Sequence, residues 1–172
     1  MFDRLYRGEP TFDGAPAPTG IPWDVGHAQP RLMELEALGG ISGEVLDIGC
    51  GLGYNAIFLA SRGYSVTALD SSAAAIERAG RNAAEAGVRV TFDVADATNL
   101  TGYDGRFDTV VDSGLYHCLD DDGRRSYAAG LHRATTPLTL PSEKQNRCQR
   151  APGLVARCRP AAYDRRPSSS RQ

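Results

Sequence analysis

No run of apolar residues in this chain comes near the ~20 needed to cross a bilayer. The N-terminus, MFDRLYRGEP, has no apolar stretch behind it of the kind a secretory leader carries. Cysteine is scarce: Cys50, Cys118, Cys148 and Cys158 form no C-x-x-C pair and no Cys/His spacing suited to a metal. These absences predict a soluble chain in a reducing, cytoplasmic setting, with no metal and no membrane partner. Basic residues are sparse over most of the length. Residues 1–136 carry 11 Arg and no Lys against 19 Asp and Glu, a net charge of −8. Such a body is a poor nucleic-acid binder, since phosphate contacts need clustered Lys and Arg. Residues 137–172 reverse the balance to +6, but their arginines lie among prolines and serines without interleaved aromatics. At 172 residues the chain has room for one domain around one core, and no internal repeat is visible.

What is present concentrates in VLDIGCGLG, Val45 to Gly53. An apolar strand runs into glycines at 49, 51 and 53, with Asp47 just ahead, and a helical segment follows from Tyr54. A strand, a glycine turn and a helix together offer free backbone N–H groups and let a ligand approach the main chain. A second strand, Ser65 to Leu69, ends at Asp70, 21 positions beyond Gly49. That spacing suits a carboxylate gripping ribose hydroxyls. Dinucleotide sites that cradle a pyrophosphate carry G-x-G-x-x-G, whereas this turn reads G-x-G-x-G with a carboxylate beside it. An acidic turn suits a cationic ligand such as S-adenosylmethionine, with its ammonium and sulfonium.

At these residues the chain resembles the class I S-adenosylmethionine-dependent methyltransferases. VLDIGCGLG is similar to their glycine-rich first motif and VTALDSS, Val66 to Ser72, to the end of their second strand. VTFDVADATNL, Val90 to Leu100, resembles the segment whose Asp lies near adenine, and FDTVVDSGLYHCL, Phe107 to Leu119, their fourth strand and its loop. The likeness runs from about Gly43 to Thr135. GIPWDVGHAQPRLMEL, Gly20 to Leu35, resembles a segment of the thiopurine methyltransferase-like and related mycobacterial small-molecule methyltransferases, where a Trp-Asp pair approaches the cofactor.

Residues 1–22 are rich in proline and glycine and read as a loop or lid; with the helix Pro30 to Leu38 they make an N-terminal part, residues 1–40. The core, residues 41–136, reads as strands Glu44–Ile48, Ser65–Leu69, Val88–Phe92 and Thr109–Asp112 alternating with helices Tyr54–Ser61, Ala73–Ala86 and Arg124–Arg133. This alternation predicts an α/β, Rossmann-like doubly wound parallel sheet, with ligands at the carboxyl ends of its strands. Asp47, Asp70, Asp93, Asp96 and Asp112 all fall at or just past those ends. After Thr136 the pattern stops. The family's fifth strand and closing hairpin are replaced by a Pro/Arg-rich tail, residues 137–172, expected to be disordered, in which only Gly153 to Ala156 is apolar. The abrupt change suggests a fold truncated after the fourth strand and following helix, with a frame shift near codon 136.

The resemblance and the residues together give a candidate site. Gly49, Gly51 and Gly53 let the methionine portion of S-adenosylmethionine lie on the backbone, with Asp47 near its ammonium. Asp70 with Ser71 meets the ribose, Asp96 with the Ala97 N–H meets adenine, and Asp112 closes the site. Trp23 either covers the sulfonium through a cation–π contact, with Asp24 beside it, or plugs the space under the lid. His117 and Asp112 are the candidate catalytic groups, His117 as a base or as a plain surface residue. Cys50 reads as a packing residue, and Asp120 to Asp122 as a solvated helix start rather than a metal cluster. The expected activity is methyl transfer to O, S or a similar heteroatom of an aromatic or quinone-like small molecule. Two alternatives stay open: a truncated remnant that binds cofactor weakly or folds poorly, and a nicotinamide oxidoreductase. Neither the acceptor nor the oligomeric state is legible.

Overall fold

Strands buried on both faces read as near-continuous apolar runs, and β1 (Glu44–Ile48) and β2 (Ser65–Asp70) are buried in this way, interrupted by Asp47 and Thr67. β3 (Thr91–Val94) is mostly exposed and β4 (Thr109–Asp112) is buried up to its last residue. The computed structural model describes residues 2–137 and the backbone of 155–156. In it the sheet order is β3-β2-β1-β4-β5, where β5 is Val155–Ala156. The first four strands are parallel, while β5 runs antiparallel to β4 through Val110↔Ala156 and Val111↔Val155. Order reverses between β1 and β4, and such a switch point opens a crevice at the carboxyl ends. The expected α/β, doubly wound, Rossmann-like sheet is therefore what forms.

Side chains alternate across a strand, and two cores result. Val45, Val66, Ala68 and Val111 pack with Leu32 of α2 (Pro30–Ala37) and with Ala56 and Leu59 of α3 (Tyr54–Ser61). Leu46, Ile48, Leu69 and Val110 face the other way. They meet Phe107 and Leu100, which sit with Tyr127, Leu131 and Ala134 of the last helix.

Three elements differ from the sequence expectation by more than one residue, each for a local reason. Residues 2–22 hold a helix, α1 (Phe2–Tyr6), with Leu5 and Tyr6 buried, where a loop or lid is expected. It is fastened to α4 (Ala73–Glu85): Asp3 accepts the Ser72 hydroxyl at 2.6 Å, and Arg78 donates to the Tyr6 carbonyl at 3.1 Å. The Ser72 hydrogen bond holds the Asp3 carboxyl below its ordinary range. The third strand begins at Thr91 instead of Val88 because Val88 and Gly87 are used to end α4. The Val88 N–H reaches the Ala83 carbonyl and the Gly87 N–H that of Ala84, with Gly87 at φ +68°, the paired bonds of a glycine-closed helix end. The last helix, α5 (Asp121–Ala134), starts three residues before Arg124, since Asp120 caps it by accepting the Gly123 N–H at 2.7 Å. Asp121 and Asp122 then lie in its first turn, where negative charge is favourable. Of the tail expected to lack structure, Val155 and Ala156 form β5; residues 138–154 and 157–172 lie outside the described residues.

Candidate functional site

A cavity of about 360 Å³ opens at the carboxyl ends of β1 and β2, within the range of small-molecule sites. Its floor is the turn after β1. Gly49 and Cys50 both donate to the Leu69 carbonyl, at 2.8 and 2.9 Å, and Gly51 donates to Asp70 Oδ2 at 2.9 Å. Gly49 (φ +72°) and Gly51 (φ +54°) reach the cavity wall. A Cβ on Gly51 would stand 2.9 Å from the Tyr6 hydroxyl, and one on Gly49 2.9 Å from Leu115 Cβ, so both positions exclude side chains. Gly53 does not line the cavity. It begins α3 at φ +79°, and a Cβ there would press on Ala79 at 3.0 Å and Phe92 at 3.1 Å. Its lack of a side chain lets the start of α3 pack against α4 and β3.

Asp70 lies on the wall with Ser71 and accepts two main-chain donors, Gly51 N–H and Ser72 N–H, both at 2.9 Å. Burial pushes its pKa up, and those amides pull it back. Asp47 does not reach the wall. It shares a sheet face with Val45, so it points beneath α3 and is 1% exposed. Its Oδ2 is buried without a hydrogen-bond partner. Burial pushes the carboxyl up to about 7, partly offset by the Ala56 N–H and reinforced by the negative charges of Asp70 and Asp112. Cys50 lines the turn, and burial raises its thiol far above the reactive range, which fits a packing role.

Asp96 and Ala97 lie on the wall beyond β3, with Asp96 Oδ1 taken by the Thr98 N–H and hydroxyl at 2.8 and 2.7 Å. Asp112 is not on the wall. Its Oδ1 accepts the Leu115 N–H at 2.8 Å, and its Oδ2 the Tyr116 N–H at 3.2 Å and the Tyr127 hydroxyl at 2.6 Å. These bonds fix the loop after β4 from a position off the cavity wall. That loop brings Leu115, His117 and Leu119 to the cavity, with His117 exposed in a short 3-10 turn, Tyr116–Cys118.

The N-terminal segment supplies the remaining side. Trp23 is 44% exposed, packs edge-on to Phe2 and Tyr6, and donates from Nε1 to the Tyr6 hydroxyl at 3.2 Å. Burial pushes the Tyr6 hydroxyl up to about 12, so it stays protonated. Asp24 sits beside it, holding the Gly26 N–H at 2.8 Å. Sequence reasoning missed Phe2, Tyr6 and His27 on this wall. No spacing points to Tyr6, since its partners are 17 and 72 positions away. His27 was open to notice as a polar side chain just past the Trp-Asp pair.

The wall therefore carries three carboxylates, Asp24, Asp70 and Asp96, and no Arg or Lys among the described residues. A phosphate-bearing dinucleotide would find no cationic partner there, whereas a sulfonium and an ammonium would find negative charge and an indole. The residues present thus fit a cationic methyl donor. Sheet order, glycine turn and acidic strand-end cleft define an α/β fold of the nucleotide-binding type.

Comparison with known proteins narrows the class. Residues 45–138 match the methyltransferase domain family, and the chain belongs to the class I S-adenosylmethionine-dependent methyltransferases, whose cofactor is S-adenosylmethionine. Over 138 residues it is 44% identical to the 2-heptyl-1-hydroxyquinolin-4(1H)-one methyltransferase of Mycobacteroides abscessus, an alignment covering 80% of this chain and 60% of that enzyme. A protein solved in work on conversion of a disulfide bond into a thioacetal group during echinomycin biosynthesis superposes with a TM-score of 0.71 at 50% identity, over 79% of this chain and 55% of that one. The glycopeptide N-methyltransferase MtfA, complexed with sinefungin, gives 0.57 at 28% identity over 67% and 49%. The chain thus spans between about half and three fifths of the length of these relatives.

Proposed function

We propose that this chain binds S-adenosylmethionine in the cavity and transfers its methyl group to an oxygen, sulfur or similar heteroatom of a small aromatic molecule. The observation that carries this reading is the acidic wall, free of Arg and Lys among the described residues, around a turn that has no room for side chains at Gly49 and Gly51. Bound there, the donor supplies an electrophilic methyl carbon on a positively charged sulfur. Gly49 and Gly51 offer the bare backbone for its amino-acid end, with Asp47 buried behind the turn. Asp70 with Ser71 is assigned to the ribose, Asp96 and the Ala97 N–H to adenine, and the Trp23 ring to the positive centre. Gly53 and Asp112 act on the site indirectly, one through packing and one through the loop after β4. Apolar Phe2, Val25, Leu115 and Leu119 line the rest of the cavity and favour a flat, apolar acceptor. The M. abscessus relative, by its name, methylates a hydroxyquinolone, which supports an acceptor of that kind. Exclusion of water and alignment of the two partners are the main rate contributions open to such a site. We assign the chain to the cytosol, supported by free Cys50 and Cys118 and by the lack, among the described residues, of a helix long and apolar enough to cross a membrane.

Calorimetric titration with S-adenosylmethionine and, separately, with NAD tests the reading. Saturable binding of the methyl donor alone is expected, and Asp70→Asn should weaken it by about 1–3 kcal/mol through loss of charged hydrogen bonds. Binding of NAD alone would return the chain to oxidoreductase chemistry. Binding of neither would leave a remnant without cofactor.

A further inference from the structure

We propose that His27 is the catalytic base, with Nε2 as the atom that takes the acceptor's proton. The inference rests on the methyl-transfer reading above and adds the group that activates the nucleophile. Two imidazoles line the cavity, His27 and His117. Among the described residues no partner holds a ring nitrogen of His117; only its main-chain carbonyl is engaged, by Arg124 at 3.4 Å. His27 is different. Its Nδ1 lies 2.7 Å from the Ala28 carbonyl oxygen. A carbonyl oxygen only accepts, so Nδ1 carries the hydrogen, and the neutral ring keeps its lone pair on Nε2.

The backbone that bears this ring is fixed on both sides. Before it, Gly26 N–H is held by Asp24 at 2.8 Å. After it, Ala28 is buried and Gln29 N–H donates to Asn55 Oδ1 of α3 at 2.9 Å. His27 is itself exposed on the cavity wall, and a base held in one tautomer on an anchored segment keeps a lone pair free for proton transfer.

In the step assigned to it, Nε2 takes the proton from the acceptor's O–H or S–H as the heteroatom's electron pair bonds to the methyl carbon. The carbon–sulfur bond breaks and its electron pair stays on sulfur, which becomes neutral. The imidazolium then returns the proton to water. No oxidant or reductant enters.

Two measurements on the full chain test this. With histidine labelled by 15N, long-range proton–nitrogen spectra read the tautomer: His27 hydrogen on Nδ1 is expected, and hydrogen on Nε2 overturns the proposal. Methyl transfer from isotopically labelled S-adenosylmethionine to 1-hydroxyquinolin-4(1H)-one, phenols and thiophenols is then followed across pH. His27→Asn, whose amide N–H can still face Ala28, should lower kcat/KM by about 100-fold or more and abolish the acid limb of the profile. Donor affinity by calorimetry should stay within twofold. His117→Asn should leave that limb in place. A His27→Asn protein with the wild-type profile, or an acid limb lost with His117→Asn instead, overturns the assignment while leaving methyl transfer intact. A wild-type chain that binds no donor, or methylates none of these acceptors, overturns the proposed function and the base with it.

Discussion

The turn after β1 and the N-terminal segment meet where the Tyr6 hydroxyl stands over Gly51, yet they are built by opposite means. The turn is held by its own amides: Gly49 and Cys50 bond to the Leu69 carbonyl and Gly51 to the Asp70 carboxylate, all at the end of β2, and side chains are excluded at Gly49 and Gly51. The N-terminal segment is held by side chains reaching far along the sequence, Asp3 to Ser72, Tyr6 to Trp23, and Arg78 to the Tyr6 carbonyl. The first arrangement belongs to the sheet and opens only with it. The second has a short helix and few buried residues and can open by itself. A site built from both has one rigid wall and one wall whose stability is its own.

Substitutions can break or sharpen that contrast. Gly53→Val should have the largest effect, about 4 kcal/mol of lost stability in urea unfolding, from a β-branched residue at positive φ combined with overpacking against Ala79 and Phe92. A loss under about 1 kcal/mol would show that the turn yields. Asp47→Asn comes next, and its sign depends on pH. Burial raises the folded carboxyl from 3.8 to about 7, so the folded state holds this proton more tightly than the unfolded chain does. Wild-type stability from this group is fully present below pH ~4 and is lost as pH rises through about 7. The variant should match wild type near pH 4 and exceed it by on the order of 3 kcal/mol above pH 7. A constant gap across pH would place Asp47 in water. Tyr6→Ala should change global stability least, by about 1 kcal/mol or less, because the segment detaches locally. Amide exchange should quicken over residues 2–7 while β1 and β2 stay protected. Equal loss of protection in the sheet would erase the distinction between the two regions.

The same contrast explains what could be read in advance. Strand and helix alternation, the parallel sheet and the glycine turn follow from patterns within a few residues, and all of these formed as expected. Where a reading failed, a distant partner or a competing local device decided the outcome. Val88 looks like strand, but Gly87 at positive φ recruits it to close a helix. Asp112 sits at a strand end like Asp70, yet it lies off the cavity wall, bonded to the Tyr127 hydroxyl 15 residues on. Asp47 was readable in principle. Period-two alternation puts it on the face of Val45, beneath α3, rather than at the crevice. The placements of Trp23, His117 and Asp96 on the cavity came from motif order, and the geometry brings them together there. The contributions of Phe2 and Tyr6 depend on a five-residue helix too short to show periodicity.

Phe2 itself lines the cavity, and this bears on how the protein is handled at the bench. An affinity handle, fluorophore or surface linker fused ahead of that residue would emerge beside the opening and compete with whatever enters it. Binding assays on such fusions would report weakened uptake that belongs to the attachment. Removing the handle before titration, or attaching the reporter through an engineered thiol on the outer face of α4, keeps the opening clear.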